Sequence, residues 1–145
     1  MTTTNPAHCV SSLCSATADH AFWYLSAPDR LGEWVLGCWE AVESEAGMVR
    51  GTSLFDGAET FVRPLPHDGH LIVDFEVGDH PTTLVRRISA RVVPGDEIGE
   101  QAATSLLVLT AWRVRSMDDD RWRRLVVAHD AEILLLRQRI EACAP

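Results

Sequence analysis

Residues 16–34, near the start of the chain, read ATADHAFWYLSAPDRLGEW and contain the clearest local signals of its architecture. Thr17 is a suitable helix N-cap, and the apolar side chains after it recur at the spacing of one helical face. Pro28 interrupts the pattern, because proline lacks an amide hydrogen and clashes with the preceding turn. The stretch therefore predicts two short helices, residues 18–25 and 29–34.

Strand-like segments lie on both sides of this stretch. Residues 8–16 ahead of it combine small and β-compatible side chains without helical periodicity. Six further strand-like runs come after it, and the first three end in turns that contain glycine: residues 39–44, 48–55, 59–65, 70–77, 83–93 and 103–115. The run 70–77 alternates apolar and polar residues, which predicts a half-buried strand.

The chain ends in a predicted long helix, residues 117–142, which opens with three aspartates and has apolar residues three and four apart. About 24 helical residues span roughly 36 Å, enough to cross a sheet. Strands and helices do not alternate as in a parallel sheet. We therefore predict one α+β domain over residues 1–145, with a curved antiparallel sheet of about seven strands around the last helix.

Composition excludes several classes of partner. The 145 residues contain 13 basic and 21 acidic side chains, a net charge of −8. This balance argues against nucleic acid, whose phosphates are bound by clustered basic groups. Because the chain has no signal-like segment and no apolar run of membrane-spanning length, we expect a cytoplasmic protein without a membrane span.

Motifs of common enzyme classes are missing from the sequence. It contains no G-x-S-x-G elbow, phosphate-binding loop, H-E-x-x-H or dinucleotide fingerprint. His67 and His70 are three residues apart but have no third ligand type clustered near them. We therefore expect no cofactor and no metal, and any catalysis would be acid–base chemistry.

His129 is the most informative polar residue of the last helix. Its spacing from Val126 and Ile133 places all three on the stripe that faces the sheet. The functional interpretation is a ligand contact or an acid–base group. The alternative is a core histidine hydrogen-bonded to a neighbour.

Arg86 is the second candidate. In a regular strand it shares the more apolar face with Ile88 and Ala90, whereas Arg87 and Arg91 occupy the polar face. An inward arginine needs an anion, such as the carboxylate or phenolate of a ligand. The alternative is a bulge that turns Arg86 to solvent.

Large aromatic side chains supply the flat surfaces of which ligand pockets are made, although they also serve as ordinary core. On the last strand, the inward face is assigned to Thr104, Thr110 and Trp112. The predicted ligand-binding set is Trp34, Phe75, Arg86, Trp112, Val126, His129 and Ile133.

The organisation of residues 7–142, and above all residues 16–34, resembles the START-like superfamily, also called SRPBCC, which includes polyketide cyclases and lipid-transfer domains. The resemblance implies a helix-grip fold with an internal cavity for a small apolar or amphipathic ligand, lipid- or polyketide-like. A cyclase or aromatase is the alternative, with His129 or Arg86 assisting proton transfer.

The back of the last helix suggests an assembly. Val127, Ala131 and Leu134 fall close together there, and the assigned register also turns Leu107 and Leu109 away from the cavity. Exposed apolar patches usually mark interfaces, and a two-fold homodimer is the commonest closed arrangement. The alternative is that residues 94–101 or the first short helices cover this face.

Overall fold

Residues 16–34 have the predicted helical character in the computed structural model, which describes residues 5–143. Helix α1 spans Ala18–Ser26, and the hydroxyl of Thr17 caps it by accepting from the amide of His20 at 3.2 Å. The second predicted helix is a 3₁₀ segment, Pro28–Glu33, with proline in its first turn. A further 3₁₀ turn, Leu36–Cys38, leads into the sheet.

The sheet has seven antiparallel strands in the spatial order β1-β7-β6-β5-β4-β3-β2. The strands are β1 Ala7–Cys14, β2 Trp39–Glu45, β3 Met48–Thr52, β4 Glu59–His67, β5 Ile72–Gly78, β6 Val85–Pro94 and β7 Ser105–Trp112. Strands β2 to β7 form an unbroken meander, and β1 pairs with β7. The predicted antiparallel α+β architecture is therefore confirmed, and it is the helix-grip fold.

Alternation along β5 identifies the inner face of the sheet. Val73, Phe75 and Val77 are buried, as the alternating sequence predicts. On β7 the buried residues include Leu107 and Leu109, each 1% exposed, so the predicted outward direction of these two leucines is wrong. The apolar run around them has no polar residue to mark a face, and pairing with β1 and β6 sets the register instead.

Helix α2 spans Asp119–Ala142 and packs against β1 and β7. The carboxylate of Asp118 caps it by accepting from the amide of Arg121 at 2.7 Å. Near its C-terminal end Leu136 and Ile140 are fully buried in the main core, which α2 shares with α1 and the sheet. This end is closely packed, whereas the N-terminal half of α2 borders a cavity.

The back of α2 is exposed in the monomer. Val127 is 67% and Leu134 is 53% exposed, and Ala131 is exposed between them. Residues 94–101 and the short helices therefore do not cover this face, which removes the alternative to the predicted apolar patch.

Candidate ligand-binding cavity

A cavity of about 290 Å³ lies between the N-terminal half of α2, strands β4 to β7 and the segments 34–38 and 53–59. Its exposed lining residues lie on residues 55–59, at Asp79 and at the start of α2, where the cavity opens to solvent. The apolar part of the lining consists of Trp34, Val35, Cys38, Val62, Phe75, Val77, Ile88, Leu109, Leu125 and Ala128. The interior can therefore hold an apolar body while its mouth remains polar.

Two aromatic side chains form one wall of the cavity. The rings of Trp34 and Phe75 meet edge to face, with centroids 5.9 Å apart and planes inclined by 74°. Both side chains are 2% exposed. An edge-to-face pair fixes both rings, so this wall is preorganised for a flat apolar group.

Arg87, and not Arg86, is the arginine of strand β6 that lines the cavity. Phe75 pairs with Ile88 and the next residue, Glu76, pairs with Arg86, so Arg87 is the extra residue of a β-bulge. A bulge reorients the side chains on one side of it. Arg86 consequently leaves the inner face, has 59% of its side chain exposed and lies 3.9 Å from a carboxylate oxygen of Asp74.

The prediction that Arg86 points into the cavity is thus wrong. The alternative interpretation, a β-bulge that turns Arg86 to solvent, is the one that the structure shows. Arg87 has no carboxylate within ion-pair distance among residues 5–143, and burial, with the nearby charge of Arg121, lowers its pKa to about 10. Arg121 and Arg124 also line the cavity and are exposed at its mouth. The cavity therefore holds a half-buried cation that has no ion pair in the described part of the protein.

His129 lines the cavity as predicted and is 1% exposed. Burial, together with the charges of His8 and Arg87, lowers its pKa to about 4, although Asp130 opposes the shift. Its ring lies 6.1 Å from that of His8. His129 makes no hydrogen bond within residues 5–143, so the alternative of a hydrogen-bonded core histidine has no support in the contacts.

Glu132 is the functional candidate that the sequence interpretation missed. It lines the cavity, and its Oε2 accepts from the amide of Leu36 at 2.8 Å while its Oε1 lies 3.9 Å from Nε2 of His129. Burial raises its pKa to about 8 despite that hydrogen bond. A neutral acid and a neutral base therefore lie side by side at pH 7. The sequence did contain a signal for Glu132, because this carboxylate comes three residues after His129 on the same helix.

The cavity brings together only part of the predicted set. Trp34, Phe75 and His129 line it, whereas Trp112, Val126 and Ile133 are not part of the lining. Trp112 shares the outer face of β7 with Thr110, because Leu109 and Ala111 occupy the inner face. Val126 packs in a separate cluster around Trp122, and Ile133 is part of the main core.

Three lining residues carry a buried polar atom without a hydrogen-bond partner in the described chain. These atoms are Nε1 of Trp34, Nε of Arg87 and Nδ1 of His129. Buried polar groups are nearly always satisfied, so each unsatisfied one needs an explanation. Three of the seven such atoms among residues 5–143 thus belong to this one lining, where a bound molecule could hydrogen-bond to them.

No cluster of three or more potential metal ligands occurs among residues 5–143. Across the same residues, none of the helices combines the length and the apolar character that crossing a membrane requires.

Comparisons with solved structures agree with the fold. The di-domain ARO/CYC BexL from the BE-7585A biosynthetic pathway matches over 93% of this chain and 46% of its own, with a TM-score of 0.68 at 16% identity. The ZhuI aromatase/cyclase from Streptomyces sp. R1128 matches over 96% of this chain and 98% of its own, with a TM-score of 0.64 at 14% identity.

The Aha1 dimer from Colwellia psychrerythraea matches over 93% of this chain and 96% of its own, with a TM-score of 0.64 at 12% identity. The sequence matches no protein-family model and no curated protein. At identities this low the likeness is one of architecture, and it identifies the chain as a helix-grip protein similar in fold to these aromatase/cyclases.

Proposed function

We propose that this protein is a single-domain member of the START-like superfamily that binds a small hydrophobic or amphipathic molecule in the cavity beneath α2. The observation that carries the proposal is the combination of an edge-to-face aromatic wall with three unsatisfied polar atoms on residues of one lining. An apolar interior with a few polar anchors is the usual composition of a small-molecule site. A cytosolic location remains a prediction from the sequence.

The size of the cavity narrows the ligand. At about 290 Å³ it lies just below the range typical of small-molecule sites, roughly 300–1,000 Å³. A compact ring system therefore suits the space better than a two-chain lipid. Binding there would remove the apolar lining from water, which is favourable by about 25 cal/mol per Å² of apolar surface.

Binding of the neutral fluorophore N-phenyl-1-naphthylamine to the wild-type protein and to two variants tests the proposal. Ala128 is buried, lines the cavity and belongs to α2, so Ala128→Phe should fill the space and abolish binding of the dye. Ala131 is exposed three residues further along the same helix and is not part of the lining, and Ala131→Phe is the matched control that should bind normally. Native mass spectrometry of freshly purified protein would identify a co-purifying ligand.

The binding proposal fails if the wild-type protein does not bind the dye. It also fails if Ala128→Phe, shown by circular dichroism to be folded, binds the dye as well as Ala131→Phe does.

A second candidate is an enzyme of the cyclase or aromatase type, and the His129–Glu132 pair favours it. Opposite pKa shifts leave the carboxyl protonated and the imidazole unprotonated at pH 7, with 3.9 Å between Oε1 and Nε2. A carboxyl group in this state can donate a proton to a bound carbonyl compound, and an imidazole in this state can accept a proton from it. This arrangement supports enolisation of a ligand that carries a ketone.

Hydrogen–deuterium exchange at the carbon between the two carbonyls of benzoylacetone tests the enzyme proposal. The wild-type protein in D₂O should accelerate exchange above the buffer rate, and His129→Gln should remove the acceleration. Tight binding of benzoylacetone without any acceleration would leave binding as the function and exclude this chemistry.

We also propose a homodimer through the back of α2, supported by the exposure of Val127 and Leu134. A solved structure of similar fold is described as a dimer, which is a precedent for dimerisation but not for this interface. Light scattering at micromolar concentration tests it, and a mass of one subunit contradicts it.

A further inference from the structure

We infer that the ligand of this cavity is an organic anion, an apolar ring system that bears a carboxylate, and that Arg87 binds the carboxylate. The inference rests on the proposed binding function and specifies the class of molecule. It depends on the position of Arg87, on the absence of a partner for it, and on the groups around it.

The first step is the contrast between Arg87 and the arginines on the outer face of the same sheet region. Arg63 lies 3.6 Å from Glu76, and Arg86 lies 3.9 Å from Asp74. Arg87 is half-buried and its Nε is shielded from solvent, yet it has no ion pair and no hydrogen bond to any residue in the 5–143 range. The arginine that lines the cavity is therefore the one of the three without an anion.

The second step is the cost of that arrangement. An arginine stays protonated at neutral pH, and a buried charge is unfavourable unless it is paired and hydrogen-bonded. The β-bulge at Arg87 places this charge at the cavity. A ligand carboxylate would accept two parallel hydrogen bonds from the planar guanidinium, the geometry that arginine binds best.

The third step concerns the other polar groups of the lining. Trp34 has an unpaired indole N–H, and such a group can only donate, which suits a second oxygen acceptor. Glu132 is protonated at neutral pH and therefore does not repel an anion. At the mouth, Arg121 and Arg124 have no ion pair within the described residues. Three carboxylates also lie there, Asp56, Glu59 and Asp79; Glu59 pairs with Arg50 at 3.6 Å and Asp56 accepts from the amide of Ala58 at 2.9 Å.

The apolar part of the ligand follows from the same geometry. The Trp34–Phe75 wall presents two fixed rings, and Ile88 follows Arg87 directly in the lining. A flat ring therefore has an apolar surface close to the cation. The arrangement selects a carboxylate attached to a ring over a free inorganic anion, which would leave the apolar wall uncovered.

The test compares 2-naphthoate with its neutral counterpart 2-naphthamide by isothermal titration calorimetry at pH 7 and low salt. The wild-type protein should bind the carboxylate about tenfold to a hundredfold more tightly, the range of a charge-assisted hydrogen-bonded pair. Arg87→Gln should remove this preference. Arg86→Gln is the matched control, since it removes the adjacent but exposed arginine, and it should keep the preference.

Four results would overturn the inference. Equal binding of the two compounds by the wild-type protein refutes the anion preference and leaves the binding function intact. Failure of both compounds and of the neutral dye to bind refutes the inference and the proposed function together. Failure of both compounds while the dye binds refutes the inference alone. A carboxylate preference that survives in Arg87→Gln refutes the assignment to Arg87. If Arg87→Gln does not fold, the carboxylate preference of Arg87→Lys is compared with that of the wild-type protein instead. Lysine keeps the positive charge but cannot donate the two parallel hydrogen bonds of a guanidinium.

Discussion

Replacing Glu132 with glutamine should stabilise the protein at neutral pH, although it changes a buried residue. Burial raises the pKa of this carboxyl from its ordinary value of 4.5 to about 8, so at pH 7 the folded chain retains a proton that the unfolded chain has released. Each pH unit of that difference costs about 1.4 kcal/mol of folding free energy. From pH 4.5 to pH 7 the cost reaches about 3 kcal/mol.

Glutamine removes the titration and retains an oxygen that can accept from the amide of Leu36. Because the folded-state pKa of Glu132 is raised, its contribution to stability is fully present below pH 4.5 and is lost as the pH rises through about 8. Glu132→Gln should therefore match the wild-type protein near pH 4.5. Its advantage should grow with pH, to about 3 kcal/mol at pH 7.

Urea unfolding at half-unit steps from pH 4.5 to pH 8.5 measures this difference. Glu45→Gln is the matched control, because Glu45 is an exposed glutamate of β2, and its curve should run parallel to that of the wild-type protein. A constant loss of stability in Glu132→Gln at every pH would refute the reasoning. It would mean that Glu132 is ionised in the fold and stabilises it through the bond to Leu36.

Three further predictions concern other parts of the molecule. His129→Gln should weaken dye binding at pH 7 with little change in melting temperature. In the wild-type protein the folded pKa of His129, about 4, lies below the ordinary 6.5, so the unfolding free energy should fall by at most about 3 kcal/mol as the pH drops from 6.5 to 4. The variant should not show this fall. Unchanged binding with a large loss of stability would make His129 structural. Leu134→Glu should convert a dimer into monomers in light scattering while circular dichroism keeps its helical signal, and a monomeric wild-type protein would contradict the proposed assembly. Gly32→Ala should lower the unfolding free energy by roughly 1–3 kcal/mol, because a Cβ there meets the backbone nitrogen of Ala41. Gly69→Ala is the control, since a Cβ at Gly69 has open space around it. Equal unfolding free energies for the two variants would disprove the clash.

The order and type of the elements could be predicted from local patterns alone. Thr17 supplies an N-cap, Pro28 ends a helix, and regularly spaced apolar residues define α2; these properties act within a few residues of the chain. The position of His129 at the cavity followed from helical periodicity in the same way, because a helix repeats every 3.6 residues whatever it packs against. Glu132 was predictable in principle, since the same periodicity places it beside His129.

The tertiary structure was needed to identify which residues of β6 and β7 line the cavity. Strand side chains alternate with a period of two, so one extra residue exchanges the faces, and the bulge at Arg87 does this to Arg86. Leu107 and Leu109 belong to an apolar run that fits either face, and only pairing with β1 and β6 selects the inner one. Local sequence thus determined which elements form and where each helix faces, whereas the identity of the cavity-lining arginine depended on hydrogen-bond register between strands, a property that no single segment contains.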